Sequence, residues 1–96
     1  VTVIKTPRLE ANYPNPFNPV TTISFVLPAT QQVKLEIFDV LGRKVRTLLN
    51  GKQQPGAHQV NWNGTNDYGK AVSSGIYYYR LTSGSYEKTM RMLLMK

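Results

Sequence analysis

Residues 13–27 read YPNPFNPVTTISFVL, and this stretch decides the fold. Its first half contains three prolines, which fix φ and lack a backbone N–H donor. This half is therefore predicted to be stiff and extended rather than helical. Its second half alternates polar and apolar residues, the period of a strand with one buried face. We therefore expect a proline-rich entry into a β domain. The residues concerned are Pro14, Asn15, Pro16, Phe17, Asn18 and Pro19, followed by Ile23, Phe25 and Leu27.

The same alternation recurs downstream, with apolar sets at 33–37, 58–62, 77–81 and 90–94. Turn signals separate these sets about every 8 to 15 residues, and no stretch has a helical period of adequate length. The pattern predicts an all-β sandwich of six or seven strands in two sheets about 10 Å apart. We expect Phe17, Phe25, Trp62 and one tyrosine pair, Tyr77 and Tyr79, as core aromatics.

Two turns have a specific chemistry. Asp39 and Gly42 occupy the first and last positions of a type I turn, in which the carboxylate accepts a backbone N–H and the glycine takes positive φ. A hairpin returning through residues 44–49 should follow. Pro55-Gly56 suits the centre of a type II turn.

The composition limits the function classes. The 96 residues form one domain, and without cysteine there is no disulfide framework or thiolate metal site. The net charge of +7 favours acidic partners, but the basic residues are scattered, so a solvated basic exterior explains them better than nucleic-acid binding. No run is long enough for a membrane helix, and no signal peptide opens the chain. If the chain is exported, we expect that signal in a longer precursor.

The sequence contains no recognisable set of catalytic or metal-binding residues. His58 is the single histidine, and the five carboxylates lie on different predicted elements. The oxygen-bearing residues around 61–67 depart from the calcium-loop rule and suit turns instead, although calcium stays a minor alternative. Of the three tyrosines at 77–79, alternation leaves only one or two for an exposed stacking platform. We expect no enzyme activity and no cofactor.

Several ordered blocks resemble one family. They are the Y-P-N-P-F-N-P entry, the D-V-L-G-R-K-V turn from Asp39, the P-G turn, Trp62 with its following turn, the strand from Ser74-Gly75 and a final basic-hydrophobic strand. Their order is similar to that in C-terminal sorting domains (type A) of type IX secretion cargo, and also in the immunoglobulin-like domain of flagellar hook-capping proteins. The resemblance covers residues 12–96, with residues 1–11 as a linker or first edge strand.

The resemblance implies an immunoglobulin-like β-sandwich of about seven antiparallel strands that acts as a non-enzymatic sorting and cell-surface anchoring module. The partners it implies are the type IX translocon, a C-terminal signal peptidase and an N-terminal passenger. It implies passage through the periplasm to the cell surface or medium. We expect recognition through the last hairpin, by strand addition or by the charges of Lys88, Arg91 and Lys96. Gly42 and Arg43 in the earlier turn are further candidate recognition residues. The final strand is richer in methionine than the family pattern. An accessory carbohydrate-binding or purely structural sandwich stays open as the alternative.

Overall fold

The computed structural model describes residues 6–96; the predicted linker or edge strand at 1–11 lies partly outside them. Seven strands follow one another: β1 (Arg8–Leu9), β2 (Thr21–Leu27), β3 (Gln31–Phe38), β4 (Lys44–Gln53), β5 (Gly56–Trp62), β6 (Gly75–Ser83) and β7 (Tyr86–Leu94). All paired strands are antiparallel. One sheet has the order β1-β2-β5 and the other β4-β3-β6-β7. The predicted two-sheet, all-β architecture is confirmed.

The core lies between the two sheets, where the alternating apolar faces meet. On β2, β3 and β6, every second residue is buried while those between are more accessible. A strand with one face in solvent buries every second residue, so the alternation in the sequence correctly predicted which residues face the core. The largest fully buried side chains include the predicted aromatics Trp62, Tyr79, Phe17 and Phe25.

Trp62 is the centre of an aromatic cluster. Its ring packs against Phe17 (centroids 5.7 Å apart, tilted by 57°) and edge-on against Tyr77 (5.3 Å, 69°). Its indole N–H donates to the carbonyl of Thr65 at 2.8 Å, which satisfies the polar atom of a buried ring. The cluster joins residues from both sheets and from the proline-rich stretch.

The entry segment, residues 13–19, closes one side of the sandwich. Tyr13 exchanges two backbone hydrogen bonds with Thr22 on β2 (3.0 and 2.9 Å). Phe17 donates to the carbonyl of Leu93 and accepts from the N–H of Met95, at 3.0 and 2.9 Å. The entry segment thus pairs with both sheets, and the expectation of an extended entry is wrong: the chain bends at residues 14–16 and 18–19. Pairing with two different strands requires those bends.

The hairpin after Asp39 is longer than predicted. Strand β4 continues to Gln53 rather than ending near residue 49, and register shifts interrupt its pairing with β3. The shifts explain why its apolar residues do not alternate cleanly, since a bulge changes the face of the following side chains. Beyond β4, the N–H of Asp67 donates to the carbonyl of Val45 and its Oδ1 accepts from Thr47 N. Part of this outer edge is therefore covered.

Candidate recognition site

The turn between β3 and β4 is built around one carboxylate. Asp39 Oδ1 accepts from the backbone N–H groups of Leu41 (2.9 Å) and Arg43 (3.0 Å), and Oδ2 accepts from Arg43 Nε (2.9 Å). The Arg43 backbone hydrogen bond is the largest cause that lowers the Asp39 pKa. Gly42 closes the turn by donating to the Asp39 carbonyl at 3.0 Å, with φ of 81°. The predicted turn is confirmed, and it presents Val40 and Leu41 outward.

The turn that leads into β6 lies beside the carboxyl end of β7. The Tyr77 hydroxyl donates to the carbonyl of Ser73 at 2.7 Å, and the backbone N–H of Lys96 donates to Ser74 Oγ at 3.0 Å. Gly75 has φ of 149°, which lets the chain turn directly into the strand. These contacts hold residues 73–75 against the end of the chain.

The carboxyl end of β7 is clamped from its other side by the entry segment. Asn15 Oδ1 accepts from the N–H of Leu93 at 3.0 Å, next to the two backbone bonds of Phe17. Asn15 and Pro16 remain exposed, whereas Phe17 between Pro16 and Asn18 is buried. The clamp therefore fixes an exposed Asn-Pro pair beside β7.

These pieces surround a groove at one end of the four-stranded sheet. It consists of two depressions of about 270 and 380 Å³ that share Ile76 in their lining. One continues toward Val40, Leu41 and the 73–75 turn, and the other toward Pro16, Arg91 and Leu93. We call this feature the Ile76 groove. Its lining comes from the entry segment, the β3–β4 turn, β6 and β7.

Three exposed apolar side chains in this lining were missed by the sequence analysis. Val40 and Leu41 are 61% and 73% exposed, and Ile76 is 38% exposed on the outer face of β6. The sequence did contain a sign of this exposure. Two apolar residues at the centre of a tight turn are unusual, and Ile76, next to the buried Tyr77 on a strand, must face the opposite side of the sheet. These three residues lie in one lining rather than scattered, and this grouping makes the surface a candidate for interaction.

The structure brings together only part of the predicted recognition set. Arg43 and Arg91 line the Ile76 groove, Gly42 lies beside Arg43, and Lys96 is tied to the groove wall through Ser74. Lys88 is separate. It lies about 10 Å from Arg91 along β7 and has the opposite side-chain parity. Because an odd sequence separation on a strand places two side chains on opposite faces, Lys88 and Arg91 do not form one charged surface on β7.

Free positive charge in the lining of the Ile76 groove comes from Arg91, and Lys96 lies nearby through its backbone bond to Ser74. Arg43 is in an ion pair with Asp39 at 2.9 Å, which neutralises it locally. Neither Arg91 nor Lys96 takes part in an ion pair within residues 6–96. The groove thus has an aliphatic floor, and Arg91 is the unpaired cation in its described lining.

The expected edge for strand addition is covered at one end only. Strand β7 is the outermost strand of its sheet, but the entry segment pairs with residues 93–95. Backbone N–H and C=O groups point to alternate sides along a strand. Those of Glu87, Thr89 and Arg91 therefore point, like those of Leu93, to the outer edge of β7. No strand of the described chain pairs with that portion. An added strand would meet residues 87–91, away from the chain end.

The other constellations have structural explanations. His58 Nε2 lies 2.7 Å from the carbonyl of Gln54, and its ring stacks on Phe25 at 5.0 Å. Asn66 Oδ1 accepts from the N–H groups of Tyr68 and Lys70, so turn hydrogen bonds occupy this oxygen of the loop considered for calcium. Within residues 6–96, no three metal-ligating His, Cys, Asp or Glu side chains cluster.

The tyrosine run forms no broad stacking platform. Tyr77 and Tyr79 are buried, and Tyr78 is only half-buried on the outer face. Beside Tyr78, the guanidinium of Arg80 covers the ring of Phe38 at 4.3 Å from its centroid. Ring faces that could stack on sugars are therefore limited to Tyr78 on this surface.

Two packed antiparallel sheets of three and four strands, closed around an aromatic core, define an immunoglobulin-like β-sandwich. The family model for the FlgD Ig-like domain matches residues 17–87. The chain belongs to this family. No helix in the described part of the chain is long and apolar enough to cross a bilayer.

Solved structures agree with this fold. Dimeric latent PorU from Porphyromonas gingivalis is 22% identical with a TM-score of 0.75, over 99% of this chain and 10% of that one. PorZ, an essential surface component of the type IX secretion system of P. gingivalis, is 25% identical with a TM-score of 0.59, over 90% and 11%. The DNA glycosylase AlkC of Pseudomonas fluorescens is 14% identical with a TM-score of 0.53, over 94% and 30%.

The chain spans about a tenth of PorU and PorZ, and the similarities to PorU and AlkC concern the fold alone. No curated protein sequence matches the chain.

Proposed function

We propose that this domain is a C-terminal sorting module of the type IX secretion system, which directs an N-terminal passenger across the outer membrane. Its chemistry is recognition rather than catalysis. In this role it passes through the periplasm and ends at the cell surface or in the medium. Its partners are the translocon and the C-terminal signal peptidase, which separates it from the passenger.

The observation that carries the proposal is the complete series of motif blocks, in the family's order, on one sandwich. Core packing explains the buried members of these blocks, such as Phe17, Trp62 and Tyr79. Core packing does not explain the exposed members, although Asn15 and Arg43 make hydrogen bonds. Asn15, Pro16, Arg43 and Arg91 all border the Ile76 groove. Residues that contribute little to the core yet meet at one surface are better explained by binding than by folding. The similarity to part of PorZ supports the same secretion system.

An export assay tests the proposal. A reporter enzyme with its own periplasmic signal is fused upstream of residues 1–96 and expressed in a host with this secretion system and in an isogenic host lacking it. We expect the reporter at the cell surface or in the medium of the first host and in the periplasm of the second. The unfused reporter should stay periplasmic in both.

Equal distribution of the fusion in the two hosts contradicts the proposal and leaves a structural or glycan-binding sandwich. Deleting residues 86–96 is a poor test. That deletion removes buried Met92 and Leu94 together with the partner of β6, so loss of export would follow from unfolding alone.

A further inference from the structure

The Ile76 groove has a shape that limits its occupant. It crosses from the β3–β4 turn over the ends of β6 and β7 to the entry segment, as its lining shows. Neighbouring strands lie about 4.8 Å apart, so this crossing is about 14 Å long. An extended peptide advances about 3.3 Å per residue, and about four residues span it. The groove therefore has room for a short extended segment.

The lining favours an aliphatic side chain. Ile76 and Leu93 are directly opposite each other on β6 and β7, and Val40, Leu41 and Pro16 extend the apolar surface on both sides. Covering exposed apolar area of this kind is favourable because it removes that area from water. Tyr77 is the one aromatic residue in the lining, and it is buried with its hydroxyl bonded to Ser73. A sugar ring would find no open aromatic face here.

The rim favours a carboxylate. Arg91 lines the groove, is exposed and has no ionic partner within the described chain, while the backbone of Lys96 bonds to the groove wall at Ser74. The chain as a whole has a net charge of +7, so an acidic segment is attracted at long range as well as at contact. A bidentate Arg91–carboxylate pair adds direction to this attraction.

We propose that the Ile76 groove binds an extended segment of a partner protein, about four residues long, that combines an aliphatic side chain with an adjacent acidic residue. This inference rests on the proposed sorting function for its biological partner, but its chemistry follows from the groove alone. The aliphatic side chain covers Ile76 and Leu93, and the carboxylate pairs with Arg91. The partner is thus read at the end of the sheet where the motif blocks meet.

Binding is tested with random eight-residue peptides displayed on phage, selected on the immobilised 96-residue chain. Affinities of the enriched peptides are then measured by fluorescence polarisation. We expect enrichment of Asp or Glu next to Leu, Ile or Val. Arg91→Glu and Ile76→Thr should each weaken binding at least tenfold. Threonine keeps the β-branched shape of isoleucine, and both sites are exposed, so the urea midpoints should be preserved.

Lys88→Glu is the matched control, because it makes the same change in charge on the same strand but outside the groove. It should weaken peptide binding less than threefold. Equal losses for Lys88→Glu and Arg91→Glu would mean that only net charge matters, and selection of basic or featureless peptides would likewise overturn the proposal. The proposal would also be overturned if no peptide were enriched and polygalacturonate bound saturably in a way that Ile76→Thr abolished, since the occupant would then be an acidic glycan. Self-association abolished by Ile76→Thr in sedimentation equilibrium would make a second copy the occupant.

The export fusion separates the two proposals. Normal export of the Arg91→Glu and Ile76→Thr fusions, with peptide binding lost, would contradict the groove's role in sorting while leaving the sorting function intact. Absence of export even for the unaltered domain would contradict the sorting function, and the peptide measurements would still decide whether the groove binds its segment.

Discussion

Replacing Phe17 with alanine should destabilise the domain more than any other change in the entry segment. The ring is 2% exposed and packs on Trp62 in the centre of the aromatic cluster. The backbone of residue 17 keeps its bonds to Leu93 and Met95 in the variant, because they involve only N–H and carbonyl groups. The substitution therefore isolates the packing of the side chain from the pairing of the segment.

The magnitude follows from burial. Truncating a fully buried phenylalanine costs about 3 to 5 kcal/mol of unfolding free energy, of which the contact with Trp62 accounts for about 0.5 to 1.5 kcal/mol. Domains of this size are stable by about 5 to 15 kcal/mol in total. With an m-value of about 1.5 kcal/mol/M, a loss of 3 kcal/mol lowers the urea midpoint by about 2 M.

Urea unfolding followed by the fluorescence of Trp62, the single tryptophan, measures this loss. Circular dichroism at each urea concentration checks that the whole domain unfolds with it. Tyr13→Ala is the control within the entry segment, because its ring is 81% exposed, and it should change stability by less than about 0.5 kcal/mol. A midpoint for Phe17→Ala equal to that of the unaltered chain would refute the reasoning, since a ring buried against Trp62 cannot be removed without cost.

Tyr79→Phe should cost about 1 to 3 kcal/mol in urea unfolding, because the hydroxyl donates to Glu10 O at 2.7 Å and accepts from Asn12 N at 2.9 Å; no loss would mean that these groups find other partners. Gly42→Val should cost about 1 to 3 kcal/mol through its φ of 81° alone, since no atom lies within 4 Å of the added Cβ, and an unchanged thermal midpoint would contradict this. Asp39 has a folded pKa below its ordinary 3.8, so its contribution to stability is complete above about pH 5 and is lost as the pH falls through 3.8 toward the folded pKa. In Asp39→Asn, the unfolding free energy should therefore fall less steeply as the pH is lowered below about 5 than it does in the unaltered chain. If both proteins lose stability equally with acid, Asp39 is not the group responsible.

Local sequence determined the strands, their buried faces and the main turns. Alternation of apolar residues on β2, β3 and β6 is sufficient for this, since a strand repeats every two residues whatever its neighbours are. The Asp39 turn was equally predictable, because within residues 6–96 its carboxylate accepts hydrogen bonds only from residues within four positions. Strand β4 was predicted less well, as its length and register depend on bulges that appear only in pairing with β3.

Tertiary structure alone decided where the exposed motif residues meet. Asn15 and Leu93 are 78 residues apart, and their contact, with that of Phe17 and Leu94, bends the entry segment that local proline chemistry predicts to be extended. The same pairing forms one wall of the Ile76 groove. Local propensity acts over a few residues, whereas such contacts depend on which strands become neighbours in the sheet. The sequence therefore determined the sandwich and its core, and the packing of distant strand ends determined the candidate recognition surface.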